Sequence, residues 1–99
     1  MKLNLKATKI PLTDSLRDYC QEKMDKTEKY LGDLQVVQCD MEIGKTVGDQ
    51  RSGDIFRAEV NLEVPHQLLR VERTSSDLYK AIDKVQEHLK LVIMKYKDK

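Results

Sequence analysis

Apolar positions along the chain follow two different periods, and the switches between them predict six elements. Leu3, Leu5 and Ala7 alternate with Lys2, Asn4 and Lys6, the two-residue period of a half-buried strand. Pro11 ends that strand and Thr13 is placed to cap a helix. Leu16, Cys20, Met24, Thr27 and Leu31 then recur at helical spacing, predicting a helix from Asp14 to about Leu31 that Gly32 closes in a left-handed cap. Val37, Cys39, Met41 and Ile43 alternate with Gln38, Asp40 and Glu42, a second strand over Val36–Ile43. The stretch 44–53 has three glycines and no period, and reads as a long hairpin loop. Phe56, Ala58, Val60, Leu62 and Val64 define a third strand within Ile55–Val64. Pro65 and His66 form a turn, and Leu69 and Val71 opposite Arg70 and Glu72 mark a short fourth strand.

The stretch Ser75–Lys99 predicts the longest helix. Leu78, Ile82, Val85, Leu89, Val92 and Tyr96 make its apolar stripe, with Ala81 and Ile93 on the edges. Thr74, Ser75 and Ser76 are candidate N-caps with Asp77 in the first turn, and Lys95, Lys97 and Lys99 suit the negative end of the dipole. The order is βαβββα, an α+β fold: a four-stranded, mostly antiparallel sheet with two helices packed side by side on one face. The strand-helix-strand opening implies one parallel pair.

Charge changes the picture only when it is sorted in space. The 99 residues carry 18 basic against 17 acidic side chains, so a net charge of +1 excludes any bulk attraction to nucleic acid. On the last helix, however, Lys80, Lys84 and His88 follow at i, i+4, and Lys95 continues the row, while Asp83 and Glu87 are expected further round toward solvent. On the first helix Lys23 and Lys26, with Tyr19 and Tyr30, line one shoulder, and Asp18, Glu22, Asp25 and Glu28 take the outer face. Neighbouring helices with such edges are expected to turn both basic margins toward one groove free of carboxylates. Lysines there would hold phosphates as flexible point charges, which suits a reader of backbone and shape.

Other chemistry finds little support. Gly44-Lys45-Thr46 resembles the end of a phosphate-binding loop, but Cys39 stands where the motif needs its first glycine, and a helix does not follow. Cys20 and Cys39 lack metal or redox spacing, fall on apolar faces, and are expected as buried, reduced thiols. His66 and His88 have no ligand cluster beside them, and Asp77 and Asp83 point in different directions on a helix, so capping and solvation account for them. No catalytic arrangement emerges, and no enzyme, metal or cofactor is expected. The absence of a secretory segment and of an apolar run near 18 residues points to the cytoplasm, with no membrane partner.

Two separated stretches carry a resemblance. Asp77-Leu78-Tyr79-Lys80-Ala81-Ile82-Asp83 is similar to the D-M/L-Y-x-A-I-D signature of the ribosome hibernation promoting factors, a family that includes the ribosome-associated inhibitor and is sometimes labelled a sigma-factor modulation protein. Leu16-Arg17 followed by Lys23, Lys26, Glu28, Lys29 and Tyr30 resembles that family's first-helix run, and Leu3-Asn4-Leu5 its opening strand. The resemblance implies a domain laid out like double-stranded RNA-binding domains that lodges in the small ribosomal subunit. There it would occupy the decoding region where mRNA and tRNA lie, so that translation stops and the intact ribosome is stored, as in stationary phase and stress. Its RNA contacts carry over to Lys23, Lys26, Lys29 and Lys95. Two positions depart: His88 stands where relatives often have lysine, and Leu91 where they have arginine. Lys80 and Lys84, at places commonly small in relatives, are expected to restore that charge.

The resemblance further implies one domain over 1–99, a monomer when free, and, because long-form relatives add a dimerising domain, a short form that inactivates single ribosomes or acts beside a separate dimerising factor. Two other readings stay open on sequence alone. One is a general double-stranded RNA-binding module. The other is a protein-interaction domain using the outer sheet face, where Arg57, Arg70, Glu42, Glu59 and Glu72 are mixed in sign.

Overall fold

Alternation and helical spacing produce the elements they predict, with shifted ends. The computed structural model describes residues 1–46 and 55–98, and within them β1 (Asn4–Thr8), α1 (Asp14–Glu28), β2 (Gln38–Lys45), β3 (Phe56–Val64), β4 (Gln67–Ser75) and α2 (Leu78–Lys97) follow in order. The sheet has the spatial order β1-β2-β3-β4. β1 runs parallel to β2, as a strand-helix-strand crossover demands, and the other neighbours are antiparallel. The two helices pack side by side, and their apolar faces join the inward sheet residues in a single core. Ile82, Val85, Leu89 and Ile93 of α2 are fully buried there. Each such side chain contributes about 1.5–3 kcal/mol of transfer free energy.

The ends of the elements correct several expectations. α2 starts three residues late because β4 is nine residues long and consumes Thr74 and Ser75. Asp77, not a serine or threonine, is the N-cap, and its carboxylate accepts from the Tyr79 N–H at 2.9 Å. α1 stops at Glu28, and Gly32 keeps its left-handed backbone (φ 59°) in the turn that follows. β2 begins at Gln38, which leaves Val37 60% exposed and not facing inward. The buried face of α2 is also wider than the expected stripe: Ala81, Gln86 and Ile93 on its edges are buried, whereas Leu78, Val92 and Tyr96 only border the core.

Gly44 belongs to β2 and not to the expected loop, whose positions 47–53 lie outside the described residues. It pairs with Thr8 and Arg57 on its two sides. A Cβ at Gly44 would come within 2.1 Å of the Thr8 carbonyl oxygen, so glycine is what lets β1 close on β2 at this rung. At the β3–β4 hairpin, Pro65 and His66 make the predicted turn, with His66 at positive φ.

Candidate nucleic-acid interface

The helix-helix seam is built from polar residues that two-period patterning left on the shoulders. From α1 come Tyr19, Lys23, Thr27 and Tyr30, and from α2 come Tyr79, Asp83, Gln86, Lys90 and Lys97. The Tyr19 hydroxyl donates to Asp83 Oδ1 at 2.5 Å, and the same oxygen accepts Lys23 Nζ at 3.1 Å. Lys23 Nζ also lies 5.3 Å from the Tyr19 ring centroid, and the Tyr19 and Tyr79 rings meet edge to face with centroids 4.8 Å apart. Deeper in, Gln86 Nε2 donates to Thr27 Oγ1 at 3.2 Å, a buried pair. Toward the C-terminal end, Lys90 sits over the Tyr30 ring at 5.0 Å and Lys97 Nζ donates to the Tyr30 carbonyl at 3.0 Å. The hydrogen bond to the Asp83 carboxylate pushes the Tyr19 phenol up to about 12, with burial adding to it.

The opposite flank of α2 faces the edge strand β4. Lys84, His88 and Leu91 line a groove of ≈ 600 Å³ with Glu72, Arg73, Thr74, Asp83 and Glu87. Lys80 and Lys95 continue this strip at helical spacing. Among the described residues, Lys80, Lys84, Lys95 and Arg73 make no ion pair or hydrogen bond through their side chains, while Glu72 is held on the far side of the sheet by Arg57 at 2.7 Å. His88 Nδ1 is buried without a hydrogen-bond partner.

The expectation of one shared groove is therefore corrected. Lys23 does edge α1 on its α2 side, whereas Lys26 turns to the outer face of α1, and Lys80, Lys84, His88 and Lys95 lie on the far side of α2. A carboxylate, Asp83, stands at the seam, bound to Tyr19 and Lys23, with 46% of its side chain still exposed. Position 83 is 100° from 84, so a helix that offers 79, 83, 86 and 90 to its neighbour turns 80, 84, 88 and 95 away from it. Lys26 pairs with Glu22 at 3.7 Å, and together with Lys29 it borders a shallow cleft shared with Asp18, Glu22 and Asp25. Arg73 was overlooked because alternation places it on the helix side of β4, where a core residue is expected. Lys90 and Lys97 were overlooked too, although their seven-residue spacing from Asp83 marks a single face.

The outer sheet face spends its charges on itself. Glu59, only 7% exposed, accepts from Arg57 Nη2 at 2.9 Å and from Arg70 at 3.2 Å. Arg57 is held further protonated by its hydrogen bond to Glu72 and the neighbouring glutamates. Cys20 and Cys39 are free and buried, and burial pushes both thiols up to about 11. Among the described residues no group of three or more histidine, cysteine or acidic side chains is placed to hold a metal, and no helix is long and apolar enough to cross a membrane.

Against known proteins, the family described as sigma 54 modulation protein / S30EA ribosomal protein matches residues 3–99. The chain belongs to this family. It is 34% identical over 97 residues to the ribosome hibernation promotion factor of Lactococcus lactis subsp. cremoris (strain MG1363), covering 98% of this chain and 50% of that protein. It is 31% identical over 94 residues to the ribosome hibernation promotion factor of Deinococcus radiodurans, covering 94% and 47%. The chain thus spans about half the length of these relatives. Among solved structures, the N-terminal domain of Thermus thermophilus Protein Y superposes with a TM-score of 0.79 at 27% identity, over 94% of each chain. The S30EA signature quoted above now has a structural reading. Asp77 caps α2, Ala81 and Ile82 enter the core, and Tyr79 and Asp83 fasten α2 to Tyr19 and Lys23 of α1.

Proposed function

We propose that this S30EA domain acts in ribosome hibernation by binding folded ribosomal RNA of the small subunit, and that it does so chiefly through the β4-side flank of α2. It works by steric occupancy of the decoding region, without catalysis or cofactor, in the cytoplasm. That the relatives matched over about half their length are ribosome hibernation promotion factors supports the ribosomal role. The observation that carries the interface is the row of four cations, Arg73, Lys80, Lys84 and Lys95, with which no acid among the described residues forms an ion pair. Phosphates can take such groups without breaking an existing bond. Lys23, Lys26 and Lys29 form a second margin on α1 that is weaker, since Lys23 and Lys26 are already paired.

The helices differ in the same sense. Over α2 five lysines outnumber two acids, whereas over α1 five acids outnumber three bases. A polyanion is therefore drawn to α2 and repelled by the outer face of α1. Sedimentation of the protein with purified small subunits and intact ribosomes across a salt series tests the reading. Co-sedimentation that weakens steeply with salt is expected. Absent or salt-insensitive association would overturn it, and equal affinity for naked duplex RNA would favour a general duplex binder instead.

A further inference from the structure

Among the described residues, Asp83 is the one carboxylate shared by the seam and the flank groove. One of its oxygens accepts both the Tyr19 hydroxyl and Lys23 Nζ, and 46% of its side chain stays exposed at the surface an RNA would cross. Lys23 is only 21% exposed and is clamped between that carboxylate and the Tyr19 ring. A phosphate arriving at the seam thus meets a negative group first, and can use Lys23 only by displacing that group or by bringing a donor that satisfies it.

From this, and resting on the proposed RNA-binding role, we infer that Asp83 is a specificity-determining residue: it withholds Lys23 from indiscriminate polyanions and lowers affinity for RNA that does not fit the seam. Specificity requires such a repulsive element as well as attractive ones, and a surface of free lysines alone would bind any duplex. An RNA whose shape brings a phosphate against Lys23 and a donor, such as a ribose hydroxyl, against Asp83 loses little; a generic duplex that reaches only the flank still pays the repulsion. Lys23 is accordingly a reserve cation, unlike Lys84.

The test compares Asp83→Asn, Lys23→Met and the double variant, each checked for a native melting transition, on a mixed-sequence RNA duplex and on purified small subunits. Asp83→Asn should tighten duplex binding by roughly 3- to 10-fold at low salt and steepen the log K against log salt slope by about one, the signature of one added counterion released. Small-subunit affinity should rise less, so the preference for subunits falls. Adding Lys23→Met should cancel the gain. Unchanged or weakened duplex binding by folded Asp83→Asn, or an unchanged preference ratio, would overturn the inference. If Asp83→Asn does not fold, Lys23→Met alone decides: a loss of duplex affinity equal to that of Lys84→Met shows that Lys23 is not withheld, and a much smaller loss shows that it is. Failure of the ribosomal reading looks different, since the native protein then ignores small subunits whatever the duplex data show.

Discussion

The two sides of α2 carry similar numbers of cations and use them in opposite ways. On the seam side, Lys23, Lys90 and Lys97 are engaged by Asp83, the Tyr30 ring and the Tyr30 carbonyl. On the β4 side, Lys80, Lys84, Lys95 and Arg73 are engaged by nothing among the described residues. A lysine count treats the sides as equal, whereas the partner of each lysine separates cement from binding surface. Solvent-exposed ion pairs contribute little stability, with a median of about 0–1 kcal/mol, and the Lys23–Asp83 pair is partly exposed, so the seam owes its strength chiefly to the rings and the buried amide.

The largest effect should come from stripping the free side. Replacing Arg73, Lys80, Lys84 and Lys95 together with alanine removes four potential phosphate contacts. Between 50 and 200 mM salt each contact accounts for roughly a 3- to 4-fold change, so the four together should carry about a hundredfold of the salt dependence of small-subunit affinity, and the variant should lose that dependence along with affinity at low salt. Titration of labelled protein measures it, and the melting temperature should barely move. A comparable loss from the seam lysines would erase the distinction between the two sides.

The converse holds for Thr27→Val, which leaves the Gln86 amide buried without its acceptor. A loss of about 1–3 kcal/mol in unfolding free energy is expected by denaturant titration, with RNA affinity preserved wherever the protein is folded. Neutral stability would mean that the amide finds another partner and that the seam is looser than drawn.

These two sites also show what patterning could and could not reveal. Strand and helix order, the inward faces of β2 and β3, and the buried cysteines follow from period alone, because a two-residue or 3.6-residue repeat decides which side chains share a face. Which side of α2 meets α1 does not follow from its own repeat, since it depends on where the crossover sets the first helix. Thr27 in an apolar stripe and Gln86 beside another were the clue: two polar residues on core faces need each other. Asp83 looked solvated for the same reason that Lys84 looked seam-facing.

A smaller effect should appear in alkali. Tyr19 has its phenol raised from 10.0 to about 12, so folding favours the protonated form. Its contribution is complete below pH 10, where the unfolded chain is protonated too, and is lost as pH climbs toward 12. Tyr19→Phe should flatten the stability profile in that window, while the flank variants keep its shape. The smallest effect is a slow one. With both thiols pushed up to about 11 and buried, Cys20 and Cys39 should resist alkylation at neutral pH until denaturant is added, and a rate set by global unfolding would mark them as core. Fast labelling of Cys20 alone would instead report that α1 detaches from α2.

Because α2 is braced by β3, β4 and α1 at once, the surface bearing the free cations is already in place before any encounter. No segment of the helix has to become ordered for docking, so association should be a single fast step whose rate is set by diffusion and electrostatic steering. Raising the ionic strength should then slow arrival as well as weaken the final complex.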